Sequence, residues 1–164
     1  MKRLIIILAV LLPAMLSAQK TPVDKLFEKY ANQEGFTTVN ISGKLLSLAS
    51  KLGIEDDPAE EILSKLKAIR ILTSDNLKNT EKIDFYKELE KDGFFKNNAY
   101  DMLMEITEAN EVVRFFSKEN ASGKISDLVL IVSGENNTLI SIQGIIDPEN
   151  IGKITKSLDI NIGN

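Results

Sequence analysis

The sequence contains neither cysteine nor histidine, and each absence closes off a body of chemistry. Without cysteine there is no disulfide framework to staple the fold and no first-residue thiol to carry a lipid. Without histidine, neither a Ser-His-Asp nor a Cys-His arrangement can be assembled. Structural zinc and the usual catalytic zinc sets lose their ligands when both residues are missing, so a metal would have to be held by oxygen atoms alone. Long apolar runs are also scarce. Beyond the N-terminus, no segment approaches the roughly 20 apolar residues that a membrane-crossing helix needs.

The N-terminus is the exception. Met1-Lys2-Arg3 is a short positive leader, Leu4 to Leu12 is unbroken apolar sequence, and Pro13 to Ala18 is mostly small or apolar. This three-part pattern predicts a secretory signal peptide over residues 1–18, cleaved between Ala18 and Gln19. Pro13 interrupts the apolar stretch and Leu16 ends it, which is short for an uncleaved anchor. The expected product has no transmembrane anchor and is periplasmic or secreted. It comprises residues 19–164, a length suited to one domain. Loss of Lys2 and Arg3 leaves 18 basic against 24 acidic residues, a net charge of −6. That balance favours solubility and argues against nucleic acid as a partner.

Three prolines punctuate the remainder. Thr21-Pro22, Asp57-Pro58 and Asp147-Pro148 each read as an N-cap followed by the first helical residue. Proline suits that position because its missing N–H would have no helical acceptor, while the capping oxygen takes orphan N–H groups. Apolar stripes follow at helical spacing: Val23, Leu26, Phe27 and Tyr30; Ile62, Leu63 and Leu66; Ile151, Ile154 and Leu158. Two more helices are predicted, over 44–51 ending at Gly53 and over 81–91 ending at Gly93, with Phe94 and Phe95 completing the packing of the second.

Strands are predicted over 36–42 and 68–73, separated by helical sequence that suits a parallel or non-adjacent pairing through a crossover. Four more, over 101–106, 112–118, 125–133 and 139–145, follow one another with short polar turns, as an antiparallel meander requires. Ile140 and Ile142 alternate with Ser141 and Gln143, and Val113 and Phe115 flank Arg114. Leu128 to Val132 is apolar on both sides, marking a central strand. Met102 and Met104 are expected to share a face with Tyr100 and Ile106. The predicted fold is α+β, with a mixed or antiparallel sheet, a C-terminal four-strand meander, and helices packed mainly on one face.

Taken in order, these segments resemble a known family. The carriers are Phe27-Glu-Lys-Tyr30, Glu34-Gly35, Ile41-Ser42-Gly-Lys44-Leu45, Ile69-Arg70-Ile71-Leu72, Val112-Val113-Arg114-Phe115-Phe116, the stretch from Gly123 to Val132, and Leu139 to Asp147. The chain is similar over nearly all of residues 19–164 to secreted proteins of Bacteroidota-type bacteria grouped as a domain of unknown function, DUF4252. The resemblance implies export and an uncharacterised role, and it carries over no catalytic residue. Many members look like lipoproteins; this sequence lacks the cysteine that such an anchor needs.

The remaining candidates for chemistry are weak motifs. Asp56-Asp57-Glu60-Glu61 lacks the spacing of a calcium loop and reads as a helix cap with acidic first-turn residues. Ser64-Lys65 and Ser117-Lys118 are formal serine–lysine pairs without a nucleophile elbow. Ser42-Gly43-Lys44 and Ser122-Gly123-Lys124 lack the spacing of a phosphate loop. Arg70 and Arg114 stand out, each embedded in an apolar strand, where a guanidinium must find solvent or a carboxylate on its own face. If they shared one groove they could hold an acidic ligand; the plainer reading is a salt bridge on the open face of the sheet. Glu105 and Asp127 are the strand carboxylates that could join them. These four are the candidate ligand-binding residues. No catalytic residue, metal site or cofactor is implied. The expected function is that of a non-enzymatic exported envelope protein acting by protein or ligand binding, with an envelope protein as candidate partner. A carboxylate-based hydrolase or a small-ligand-binding module is the alternative. Oligomeric state is open.

Overall fold

The computed structural model describes residues 21–52, 58–75 and 83–146. The expected signal peptide, the Asp56-Asp57 pair and the helix predicted from Pro148 lie outside the described residues. In chain order the elements are α1 (Pro22–Tyr30), β1 (Phe36–Ser42), α2 (Gly43–Leu52), α3 (Pro58–Lys65), β2 (Leu66–Asp75), α4 (Phe85–Lys91), α5 (Phe94–Asn97), β3 (Asp101–Thr107), β4 (Val112–Glu119), β5 (Ile125–Ser133) and β6 (Asn136–Ile146). The α+β expectation holds.

Local signals account for most of these boundaries. Thr21 caps α1 through a capping box: its hydroxyl accepts from the Asp24 N–H at 3.2 Å, and the Asp24 carboxylate accepts from the Thr21 N–H at 2.9 Å. α2 begins directly at the end of β1, where the Ser42 hydroxyl accepts from the Leu45 N–H at 3.4 Å. Asp84 caps α4 by accepting from the Tyr86 and Lys87 N–H groups. Gly93 then turns the chain with φ +66°, a left-handed value that a Cβ would strain. That turn launches α5, which the sequence did not foretell.

The six strands form one antiparallel sheet in the order β1-β2-β6-β5-β4-β3. The C-terminal meander is present as expected. The crossover expected between β1 and β2 is not: they are adjacent and antiparallel, Thr38 opposite Leu72 and Asn40 opposite Arg70. The physical reason is that α2 and α3 pack on each other and return the chain to where it left β1. A bulge at the start of β2 fits against Gly144, whose φ is +145°; a Cβ there would lie 2.5 Å from the Lys65 carbonyl oxygen and 2.6 Å from the Leu66 Cα. Only glycine allows the end of α3 to pass so close to β6.

Both faces of the sheet are apolar. The front face carries Leu72, Leu139, Ile131, Val129 and Phe116 beneath Leu26, Phe27 and Tyr30 of α1 and Phe85, Leu89 and Phe94 of α4 and α5. The back face carries Ile142, Ile140, Leu128, Leu130, Val113 and Phe115, with Leu46 of α2 and Ile62 of α3 packed at one corner. Three of the five described helices therefore cover the front, in line with helices mainly on one face. β5 is central and buried on both sides, as its uninterrupted apolar sequence predicts.

Candidate functional site

All four sequence-predicted site residues lie on strands, but they do not meet at one point: Glu105 pairs with Arg114, while Arg70 and Asp127 both lie within electrostatic reach of Tyr100. Strand alternation and register put Arg70, Arg114, Glu105 and Asp127 on the front face. β6 and β5 separate Arg70 on β2 from Arg114 on β4. β4 likewise separates Glu105 from Asp127. The expectation of an open sheet face is corrected here: helices cover it, and each arginine is sandwiched under an aromatic ring.

Arg70 lies with its guanidinium 4.6 Å from the Phe27 ring centroid and donates from Nη1 to the Asp24 carboxylate at 2.6 Å. Asp24 thus has two tasks, closing the cap of α1 and pinning that helix to β2. Burial alone would raise the Asp24 carboxyl, but hydrogen bonds from Thr21 and Arg70, together with the Arg70 charge, outweigh it and hold the group below its ordinary value. Nη2 of Arg70 is buried without a hydrogen-bond partner. Arg114 repeats the motif: its guanidinium sits 4.2 Å from the Tyr86 centroid and its Nε donates to Glu105 at 2.6 Å. Glu105 faces Arg114 directly across the β3–β4 ladder, so this pair is the salt bridge that strand alternation favoured. Asp127 faces Lys118 across β4–β5 and accepts from the Ser126 hydroxyl at 3.1 Å.

The ring over Arg114 leads to a feature that the arginine argument missed. Tyr86 stacks on Phe95 at 5.1 Å and Phe95 on Phe116 at 4.3 Å between centroids, while Phe94 packs on Tyr100 at 4.4 Å. Tyr86, Phe95, Phe116, Tyr100 and Met102 line a cleft of about 440 Å³ between α4, α5 and edge strand β3, with Glu90 and Lys96 also lining it, while Phe94 lies buried behind it. The volume lies in the range of small-ligand pockets. A bulge at Leu103 breaks the register of β3 with β4 between Met102, which faces Phe116 and lines the cleft, and Met104, which faces Phe115. The two methionines therefore lie on opposite faces, correcting the expectation that they share one. Met102 remains 48 % exposed and Leu103 47 %.

The Tyr100 phenol is pushed well above its ordinary value, first by burial and then by the charges of Asp127 and Asp24, against a smaller opposing effect of Arg70. It stays a neutral hydrogen-bond donor at physiological pH. The cleft thus offers an aromatic floor that includes two tyrosines, an adaptable thioether and a charge of each sign. That is equipment for holding an apolar group with a polar margin.

A second, more polar cleft of about 460 Å³ lies between the end of α1 and α4, lined by Lys29, Gln33, Asp84, Lys87, Glu88 and Lys91 among others. Its lysines are engaged: Lys29 and Lys91 meet Glu88 at 2.8 and 3.2 Å, and Lys87 meets Asp84 at 3.8 Å. Among the described residues, no three acidic side chains gather closely enough to suggest a metal site. The Ser122-Gly123-Lys124 turn is closed by Asn120, whose side-chain oxygen accepts from Ser122 and Lys124 N–H groups.

The fold and cleft define a small α+β protein, a six-stranded antiparallel sheet with an aromatic cleft at one edge. The chain belongs to the DUF4252 family, a domain of unknown function whose model matches residues 30–154. No curated protein and no solved structure matches it at a significant level.

Proposed function

We propose that this is a non-enzymatic exported envelope protein that binds a protein partner, receiving an apolar side chain of that partner in the cleft between α4, α5 and β3. The observation that carries the reading is the cleft itself: stacked rings of Tyr86, Phe95 and Phe116 beside a half-exposed Met102. Aromatic floors and methionine are favoured at contact surfaces because they bury much area and adapt their shape. Export is supported by the three-part pattern of residues 1–18. The arginines serve this reading indirectly. Arg114, held by Glu105, backs the Tyr86 ring and keeps it upright against the cleft.

The test is site-specific photocrosslinking in intact cells, with a photoreactive amino acid at Met102 and, as control, at exposed Lys87. The expected result is one discrete adduct from position 102, absent from position 87 and lost when Phe95→Asp is added to a chain that still folds. Equal adducts from both positions, or none from 102, would overturn the reading.

A further inference from the structure

The two edges of the sheet are built differently. β3 carries the Leu103 bulge and two acidic residues, Asp101 and Glu105, devices that discourage strand pairing at an edge. β1 carries none of them. Its sequence, FTTVNIS, has no charge and no proline, and its register with β2 runs unbroken from Phe36 to Ser42. Among the described residues it is the last strand on its side of the sheet, and Thr37, Val39, Asn40 and Ser42 are exposed. An uninterrupted, uncharged edge is a template for a further strand.

We propose that β1 pairs antiparallel with β1 of a second copy of this chain, about a two-fold axis through Val39, so that two six-stranded sheets become one. This surface lies at the opposite edge from the cleft and does not depend on it. The two-fold sets Val39 against its own counterpart, Thr37 against Ile41, Thr38 against Asn40 and Phe36 against Ser42. Opposed residues share a face of the sheet, so apolar Val39, 40 % exposed in the monomer, is covered by an identical side chain. No like charges meet, because the strand has none. Exposed apolar surface also gathers here. α2 leaves the end of β1 and presents Leu45 at 55 % and Leu48 at 49 % exposure, extending an apolar rim from the strand. Self-pairing is favoured over a foreign strand because a symmetric register satisfies every position of β1 at once.

The experiment is sedimentation velocity of the purified protein over a concentration series, with two variants. Wild type should sediment at twice the monomer mass. Val39→Lys, which sets two ammonium groups face to face, should weaken the dimer about tenfold or more. Val39→Cys, in a chain with no other cysteine, should form a covalent dimer on mild oxidation, whereas Leu103→Cys on the other edge should not. A monomer at every concentration would overturn the proposal, even if β1 then captured an unrelated strand. So would a dimer that cross-links through Leu103→Cys and not through Val39→Cys.

Discussion

Replacing Asp24 with alanine should cost about 2 kcal/mol of stability, far more than an ordinary surface substitution. The carboxylate accepts the Thr21 N–H at 2.9 Å, the Thr21 hydroxyl at 2.8 Å and Arg70 Nη1 at 2.6 Å. Loss of the reciprocal half of a capping box contributes about 0.5 kcal/mol, toward the low end for caps, since the Thr21 hydroxyl still caps the helix. The larger part comes from Arg70. Only 18 % of its side chain is exposed and its Nη2 already lacks a partner, so removing Asp24 strands a mostly buried cation. Stranding it costs about 2–3 kcal/mol, reduced here because 28 % of the Asp24 side chain is open to solvent. The assay is urea unfolding followed by far-ultraviolet circular dichroism at pH 7. Arg70→Met, which keeps a flexible chain under the Phe27 ring, supplies the second arm of a double-mutant cycle, and the double variant should lose less than the sum of the single changes. The pH dependence has a definite sign. The folded carboxyl titrates below its ordinary value of 3.8, so its contribution is fully present above that value and is lost as pH falls through the lower, folded one. The gap between wild type and Asp24→Ala should therefore be constant near neutrality and close in acid. A gap under about 0.5 kcal/mol at pH 7, or one that widens on acidification, would refute the reasoning.

Other changes separate structural from surface roles. Gly144→Ala should destabilise by about 2–4 kcal/mol in the same unfolding assay, because its Cβ meets the backbone at Lys65 and Leu66 and its φ is +145°. Glu88→Gln should cost under about 1 kcal/mol, and 0.5 M salt should erase most of that, since Lys29 and Lys91 meet Glu88 near solvent. Hydrogen bonding to Lys29 is the main cause of the lowered Glu88 carboxyl, so this small contribution should also fade only in acid. Intact mass of the protein recovered from the envelope or medium should correspond to a chain beginning at Gln19; a mass that includes residues 1–18 would contradict the export reading.

The legible parts of the fold were those written locally. Thr21-Pro22 announced α1, and Pro58 announced α3, because capping needs only neighbouring residues. Alternation around Arg114 and Ser141 placed the meander strands, and the double-sided apolar run of β5 marked the centre of the sheet. What distance hides was missed. Nothing near Arg70 names Asp24 as its partner, and the pairing of β1 with β2 depends on how α2 and α3 pack rather than on either strand. The Leu103 bulge was invisible for another reason. Met102, Leu103 and Met104 are all apolar, so the side-chain pattern reads equally well with or without an inserted residue. That ambiguity hides which methionine shares the face of Phe116, although Phe94 and Phe95 read as packing residues. The candidate ligand arginines stand out in the sequence because each is embedded in an apolar strand, and the geometry gives each one carboxylate and one ring.

The claim on which the account turns is that recognition belongs to the aromatic cleft at β3 and not to the arginines under the helices. Chemical-shift mapping of the 15N-labelled protein with 1-anilinonaphthalene-8-sulfonate, an aromatic probe small enough for such a cleft, tests it residue by residue. The account predicts saturable shifts concentrated at Tyr86, Gly93, Phe95, Tyr100, Met102 and Phe116, abolished by Phe95→Asp. Shifts centred instead on Lys29, Gln33 and Lys87, or on Arg70 and its neighbours, would contradict it.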